Sequence, residues 1–343
     1  MPSSWHDDVQ TFGHGAALAL ERAHEPVKRT TIKDVARLAG VDVSTVSRAM
    51  RDHPRISEAT RQRVVLAARE LDYRPNAAAR AMVTSRTRSF AFLVPSLADP
   101  NVAAFAAGAE AEARTHGYSM VVAGYRAPHG TAAPGPQLFR EHRFDGLLLM
   151  SPRHYPESGL DLPLATLEEA RVDNHGGAAL AAALLRDHGH RRVAFVGGEH
   201  DSPHARERFL GLRSVFDDAT CRYGDWTPQA GFDLTTRLLD ADAGFSAIFA
   251  ASDAVALGVY GALHERGLAI PGDVSVVGFD DMPAARHYWP RLTTVAQPLE
   301  RVGATAFEML LARIEGREPE PPPVLDVRLV QRASVGPAPV NLR

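Results

Sequence analysis

The chain has 343 residues, with 38 Lys and Arg against 41 Asp and Glu, a formal net charge of −3, 45% hydrophobic residues and 23% charged residues. This composition belongs to a water-soluble globular protein long enough for two or three domains, and it excludes disorder throughout. No run of about 18 apolar residues could span a bilayer, residues 1–25 lack a basic start followed by an apolar stretch, and the single cysteine, Cys221, allows neither an internal disulfide nor a thiolate metal cluster. A cytoplasmic protein with no membrane contact, metal or cofactor is expected. The charge is unevenly spread: residues 28–88 carry 14 basic and 6 acidic side chains, net +8, and the rest of the chain is net −11. A short basic segment joined to a long acidic body suggests a nucleic-acid-binding module on a separate domain.

In chain order, residues 1–29 show weak periodicity and read as a mobile tail. Thr31, with Asp34 three residues later, starts a helix that Gly40 ends. Asp42 or Val43 opens a second short helix to Met50, and Ser57 caps a third over 58–71 whose Val64, Val65, Leu66 and Leu71 can close a small core. Two short helices around a Gly-containing turn form a helix-turn-helix, whose second helix enters the major groove. Spacing alone leaves a plain helical bundle equally open; the charge of +8 favours the DNA reader.

From Ser89 the pattern changes. Apolar runs over 90–94, 119–123, 146–150, 192–196, 247–250 and 274–278 read as strands, and amphipathic stretches such as 102–116, 176–188, 203–216, 228–239 and 253–266 as helices between them. Strands alternating with helices predict parallel sheets covered on both faces, and this length divides naturally into two α/β lobes. The Pro-rich stretch 318–323 reads as a loop and 336–343 as a C-terminal tail.

The runs Thr31-Ile32-Lys33-Asp34-Val35-Ala36, Ser44-Thr45-Val46-Ser47-Arg48-Ala49 and Tyr73-Arg74-Pro75-Asn76, followed by Asp145-Gly146-Leu147, Val172-Asp173-Asn174, Gly189-His190-Arg191-Arg192-Val193 and Gly278-Phe279-Asp280-Asp281, resemble the LacI/GalR family of bacterial transcription regulators, in order along nearly the whole chain. The resemblance implies an N-terminal all-α helix-turn-helix head (30–75), a hinge helix and linker (76–88), and a two-lobed periplasmic-binding-protein-like α/β effector domain over 89–335. Its first lobe would hold 89–171 and 297–323, its second 172–296 and 324–335. It implies a homodimer, a palindromic double-stranded DNA operator, a small sugar-like effector and most often repression.

Carried over by position, the resemblance places Thr31, Lys33, Val43, Ser44, Thr45, Ser47, Arg48, Arg51, Arg55, Tyr73, Asn76, Ala79 and Met82 at the DNA. Val43 and Ser44 face base edges, Arg48 reaches a guanine, Lys33 and Arg55 meet phosphates, and Met82 stands where relatives insert a leucine into the minor groove. Arg51 replaces a usual Asn. Asp42 reads as an N-cap, because a carboxylate near phosphates is repelled.

The same comparison places Asp99, Glu168, Arg208, Trp226, Ser252 and Asp280 around the effector. Three departures bear on it: Asp99-Pro100-Asn101-Val102 lacks the aromatic pair that usually follows the proline, the stretch 167–172 is short, and 151–162 is Pro-broken. The first lobe thus reads as trimmed and without its stacking wall. Core packing of Trp226 and a plain internal pairing of Arg208 with Asp280 stay open beside ligand binding.

Other functions are weighed on the same residues. A doubly wound enzyme would need a glycine-rich phosphate loop, and Val196-Gly197-Gly198 lacks the third glycine and the helix start; no nucleophile motif is present. An exported solute-binding protein would need a leader and would have no use for a basic head. A family regulator controlled by a protein corepressor, or by no effector, is the stronger rival.

Overall fold

The structure is a computed structural model that describes residues 30–51, 53–73, 86–125, 143–152, 162–241 and 244–339. The expected tail at 1–29 and the hinge residues Asn76, Ala79 and Met82 lie outside the described residues. The chain separates into a head, up to Ser85, and a body from Arg86.

The head holds three helices: α1 (Ile32–Ala39), α2 (Val43–Ala49) and α3 (Glu58–Glu70). Asp34 fastens the start of α1 by accepting the Thr31 backbone N–H at 3.0 Å and the Thr31 hydroxyl at 2.7 Å. Gly40, at φ 64°, ends α1 in the left-handed conformation that a side chain would resist. Ser57 caps α3 by accepting the Thr60 N–H at 3.3 Å. The core joins Val35, Ala36 and Ala39 to Val46 and Ala49 and to Val64, Ala67 and Ala68. Leu66, expected in this core, is instead 63% exposed: the inward stripe of α3 runs 64, 67, 68, 71, which turns position 66 to the opposite side. Asp42 occupies the N-cap position of α2, yet its side chain makes no capping hydrogen bond, so its assignment as a side-chain cap is corrected.

The body contains two parallel sheets. The first, β1 (Ser89–Val94), β2 (Ser119–Gly124), β3 (Gly146–Leu149) and β4 (Leu164–Thr166), has the order β2-β1-β3-β4. Helix α4 (Val102–Thr115) follows β1. The second sheet contains β5 (Val193–Val196), β6 (Thr220–Arg222), β7 (Ala247–Ala250), β8 (Ser275–Asp280), β9 (Thr293–Ala296) and β10 (Arg328–Val330). Its order is β10-β9-β8-β7-β5-β6, with only β10 antiparallel. Helices α5 (Asn174–Asp187), α6 (Pro203–Arg213), α7 (Pro228–Asp240) and α8 (Asp253–Glu265) connect these strands. Their β5, β7 and β8 neighbours are buried along their whole length, as strands covered on both faces must be.

The sixteen-residue helix α9 (Leu299–Ile314) returns to the first lobe, where Val302, Ala306, Phe307 and Leu310 join Phe90, Phe92 and Phe105 in one core. It crosses α4 so closely that a Cβ on Gly108 would stand 1.8 Å from the Glu300 carbonyl oxygen; only glycine permits this approach. The chain passes between lobes near Val172 and again near Leu325, and these two residues form a parallel bridge.

The C-terminal tail does not begin at 336. Gly336 is buried, its carbonyl accepts from the His190 ring at 3.1 Å, and the Ala338 N–H reaches the His188 carbonyl at 2.8 Å. Donors and acceptors buried against α5 and β8 hold the chain there. Among the described residues no helix is long and apolar enough to cross a membrane.

Candidate functional site

Two sites emerge, one in each unit. In the head, α2 buries Val46 and Ala49 and thereby turns the rest of its short length outward. Val43, Ser44 and Arg48 are exposed, as are Thr31, Lys33 and Arg55 from neighbouring segments; Thr45 and Ser47 are half-buried. Arg51 folds back on α2, donating Nε to the Ser47 carbonyl at 3.0 Å and Nη2 to the Ser47 hydroxyl at 2.9 Å. Tyr73 packs its ring partly against the head core, so packing accounts for part of its surface.

In the body, a cavity of about 560 Å³ is bordered by residues of both lobes, at the C-terminal ends of the strands where open α/β sheets receive ligands. The structure brings Asp99, Glu168, Arg208, Trp226, Ser252 and Asp280 all to its wall. Arg208, from α6, is 4% exposed, and Asp280, at the end of β8, is 3% exposed. Their closest charged atoms are 3.5 Å apart.

Arg208 is fixed on every side. Its Nε donates to Asn174 Oδ1 at 2.8 Å and its Nη1 to the Ala251 carbonyl at 2.6 Å, while the guanidinium lies 3.7 Å over the Phe279 ring and 5.5 Å from the Trp226 ring. Burial pulls the guanidinium below its ordinary value and the Asp280 carboxylate opposes that pull. Asn174 in turn donates to Glu207 at 3.2 Å.

Asp280 accepts from two further amides, Gln297 Nε2 at 2.6 Å and Asn101 Nδ2 at 2.7 Å. Asn101 comes from the first lobe and Asp280 from the second, so this bond spans the cleft. Asp280 holds φ 116°, a conformation unusual for a residue with a side chain. Burial pushes its carboxyl up to about 6, against Arg208, Asn101 and Gln297, which hold it down. Its neighbour Asp253 is buried, accepts the Thr294 hydroxyl at 2.6 Å and the Met282 N–H at 2.8 Å, and is pushed well above the carboxylate range by burial and by Asp280.

A pH dependence follows. Asp280 titrates near 6 when folded and near its ordinary 3.8 when unfolded, so across that window the native state holds a proton that the unfolded chain has released. The contribution of this site to stability therefore falls as pH rises through the window. Thermal melts should show the wild type gaining on Asp280→Asn as the pH is lowered from about 7 to about 5; a constant difference between the two would refute the assignment.

Ser252 serves first as the cap of α8, its hydroxyl accepting the Val255 N–H at 3.2 Å. Trp226 both borders the cavity and packs on the second-lobe core. Phe105 of α4 borders the cavity while belonging to the first-lobe core. Asn101, Asn174, Gln297 and Asp253 were not foreseen. Neutral amides carry no pattern in a single sequence, and Asp253 stood there only as the first residue of the helical stretch 253–266.

Comparison with known proteins agrees with this geometry. Residues 31–76 match the family described as bacterial regulatory proteins, lacI family, and 182–335 match a periplasmic binding protein-like domain. The transcriptional regulator CelR of Thermobifida fusca is 35% identical over 336 residues, covering 90% of this chain and 98% of that protein. The chain belongs to the lacI family of bacterial regulatory proteins. This regulator is also 32% identical to the transcriptional repressor PurR of Vibrio vulnificus, over 84% of its own length and 93% of the relative. Among solved structures, the lac repressor dimer bound to operator and the anti-inducer ONPF superposes with a TM-score of 0.74 at 28% identity, covering 90% of the regulator and all of that chain. A CelR–cellobiose complex superposes at 0.61 with 30% identity over 89% of the regulator. The regulator is thus a DNA-binding transcription factor and not an enzyme.

Proposed function

We propose that this regulator represses transcription in the cytoplasm by binding a palindromic operator as a homodimer, and that a small polar, sugar-like effector in the body cavity modulates that binding. The observation that carries the reading is the outward face of α2. Its buried side is spent on the head core, so Val43, Ser44 and Arg48 stand exposed on the other side and can meet base edges, with Lys33 and Arg55 placed for phosphates. One head of this size covers too little DNA for tight binding, and two on one dimer share the entropic cost of positioning. Trp289, 91% exposed, supplies apolar surface for a second copy. Relatives are solved as a CelR–cellobiose complex and as the lac repressor dimer with operator and ONPF; here the aromatic face of Trp226 and the polar groups of Arg208 and Asp280 line one cavity.

The test is a set of binding titrations on a site enriched from random DNA. Arg48→Ala should weaken that site by about 1–3 kcal/mol and relax preference at one symmetric guanine. Lys33→Ala should weaken all sequences alike and reduce the salt dependence. Equal losses on specific and random DNA for Arg48→Ala would refute base reading by α2.

The completed Arg208–Asp280 pair favours a second reading, in which the pair serves only to stabilise the lobe and the regulator answers to a protein partner or to nothing. A thermal-shift screen separates the two: under effector binding, some sugar or polyol raises the melting temperature of the wild type.

A further inference from the structure

The last turn of α9 holds a piece of the cavity wall. Arg313 donates Nη1 to the Leu164 carbonyl at 2.8 Å and to Glu169 Oε1 at 3.1 Å, and Nη2 to Glu169 Oε2 at 2.5 Å. Glu169 also accepts the Thr166 N–H at 2.7 Å, so a two-pronged ion pair fixes the tight turn that follows β4. That turn borders the cavity through Leu167, Glu168 and Ala170, on either side of Glu169.

One residue later, α9 holds the chain that arrives from the head. The carbonyls of Leu311, Ala312 and Arg313 accept the N–H groups of Glu315, Arg317 and Gly316 at 3.0, 2.8 and 3.0 Å. The Ile314 carbonyl instead accepts Arg86 Nη2 at 3.1 Å, which sets a cation at the negative end of a sixteen-residue helix. Arg86 is the first residue of the body. Directly after it, Asp145 accepts the Thr87 N–H at 2.7 Å, the Thr87 hydroxyl at 2.8 Å and the Arg88 N–H at 2.9 Å, which keeps the incoming chain in register with β3.

Helix α9 is seated so that it moves as one piece. Its start is tied to the second lobe by Gln297, which donates to Asp280 at 2.6 Å. Its first half is pressed on α4 so closely that a Cβ on Gly303 would stand 2.0 Å from the Phe105 carbonyl oxygen. Close-packed helices shift together between discrete arrangements and do not deform.

Resting on the reading of this cavity as an effector site, we propose that Arg313 and Arg86 are positioning residues that couple the cavity wall at 167–170 to the chain leading to the head. A ligand that shifts the wall moves Glu169, Arg313 and the end of α9. The point at which Ile314 holds Arg86 moves with them, and so does the chain that carries the DNA reader.

Coupling between two sites is reciprocal, so DNA must act on the wall as the effector acts on DNA binding. The experiment is amide hydrogen exchange of the full-length protein, alone and saturated with the DNA site it enriches from random sequence. The expected result is that DNA protects 32–49 and changes exchange over 164–172 by about threefold or more. Arg86→Ala and Glu169→Gln should keep the protection of the head and lose the change at the wall. Glu169→Gln retains an acceptor for the Thr166 N–H and removes only the charge facing Arg313. Arg86 is exposed and Glu169 half-buried, and unchanged exchange in β1 and β3 checks that each variant is folded. A wall unchanged by DNA in the wild type, or a change that survives either substitution, overturns the coupling and leaves effector binding, read by the thermal-shift screen, standing. Loss of head protection in Arg86→Ala would place Arg86 in the grip on DNA and overturn its role as a coupler. No protection of 32–49 in the wild type overturns the operator reading together with the coupling.

Discussion

Arg208→Ala is expected to destabilise the body by about 3–5 kcal/mol. The substitution removes a cation that is buried between Asp280, Asn174, the Ala251 carbonyl and the Phe279 ring. What remains is a buried carboxylate held only by Asn101 and Gln297, a carbonyl without its donor, and a void above an aromatic face. Breaking one side of a buried ion pair costs far more than the pair itself contributes, because the remaining charge loses its counter-charge in a largely desolvated place. Arg208→Lys should recover only a minor part of the loss. A single ammonium cannot donate in two directions from a plane while stacking on a ring. Urea unfolding of the body read by circular dichroism measures both; a change under about 1 kcal/mol for the alanine variant would show that the pair is not a structural centre of the second lobe.

Phe279→Ala is expected to cost a similar amount, about 3–5 kcal/mol. Phe279 is fully buried on β8, the strand between β7 and β9, and its ring packs with Phe249, Val295 and Leu185 in the second-lobe core. It also forms the floor beneath the Arg208 guanidinium. Truncation thus opens a cavity and removes the surface that keeps Arg208 in position, so two effects add. The neighbourhood has little room to collapse: a Cβ on Gly177 would already stand 3.2 Å from this ring. Phe279→Leu keeps most of the volume and should lose much less stability. Denaturant midpoints at unchanged slope would show these as losses of native packing; near-equal stability of Phe279→Ala and wild type would contradict the packing assigned here.

The elements most visible in the sequence are those with contrast along the chain. Thr31 and Asp34, Gly40 and Ser57 mark the ends of the head helices because each satisfies a specific backbone requirement, and each does so in the structure. The buried runs that form β1, β3, β5, β7 and β8 stand out against amphipathic neighbours. Helix α9 was not among the helices read from the sequence: Val302, Gly303, Thr305, Ala306, Phe307, Met309, Leu310 and Leu311 are all buried, and Glu300, Arg301 and Glu308 leave it only a narrow polar side. The three-residue strands β4, β6 and β10 are too short to show alternation. Leu66 misled because composition says apolar and only the phase of α3 says outward. At the cavity, the charged and aromatic groups were found through the family pattern, whereas Asn101 and Gln297 were not. Their role depends on Asp280 being brought to them from 179 and 17 positions away along the chain.

The claim that this protein reads DNA symmetrically through α2 is tested most directly by nuclease footprinting of the full-length protein on the site it enriches from random DNA, with the stoichiometry measured by sedimentation. The expected result is two chains per site and protection of two half-sites related by a dyad, lost when Arg48 is replaced by alanine. Protection of a single asymmetric site by one chain, or enrichment of no sequence at moderate salt, would contradict it.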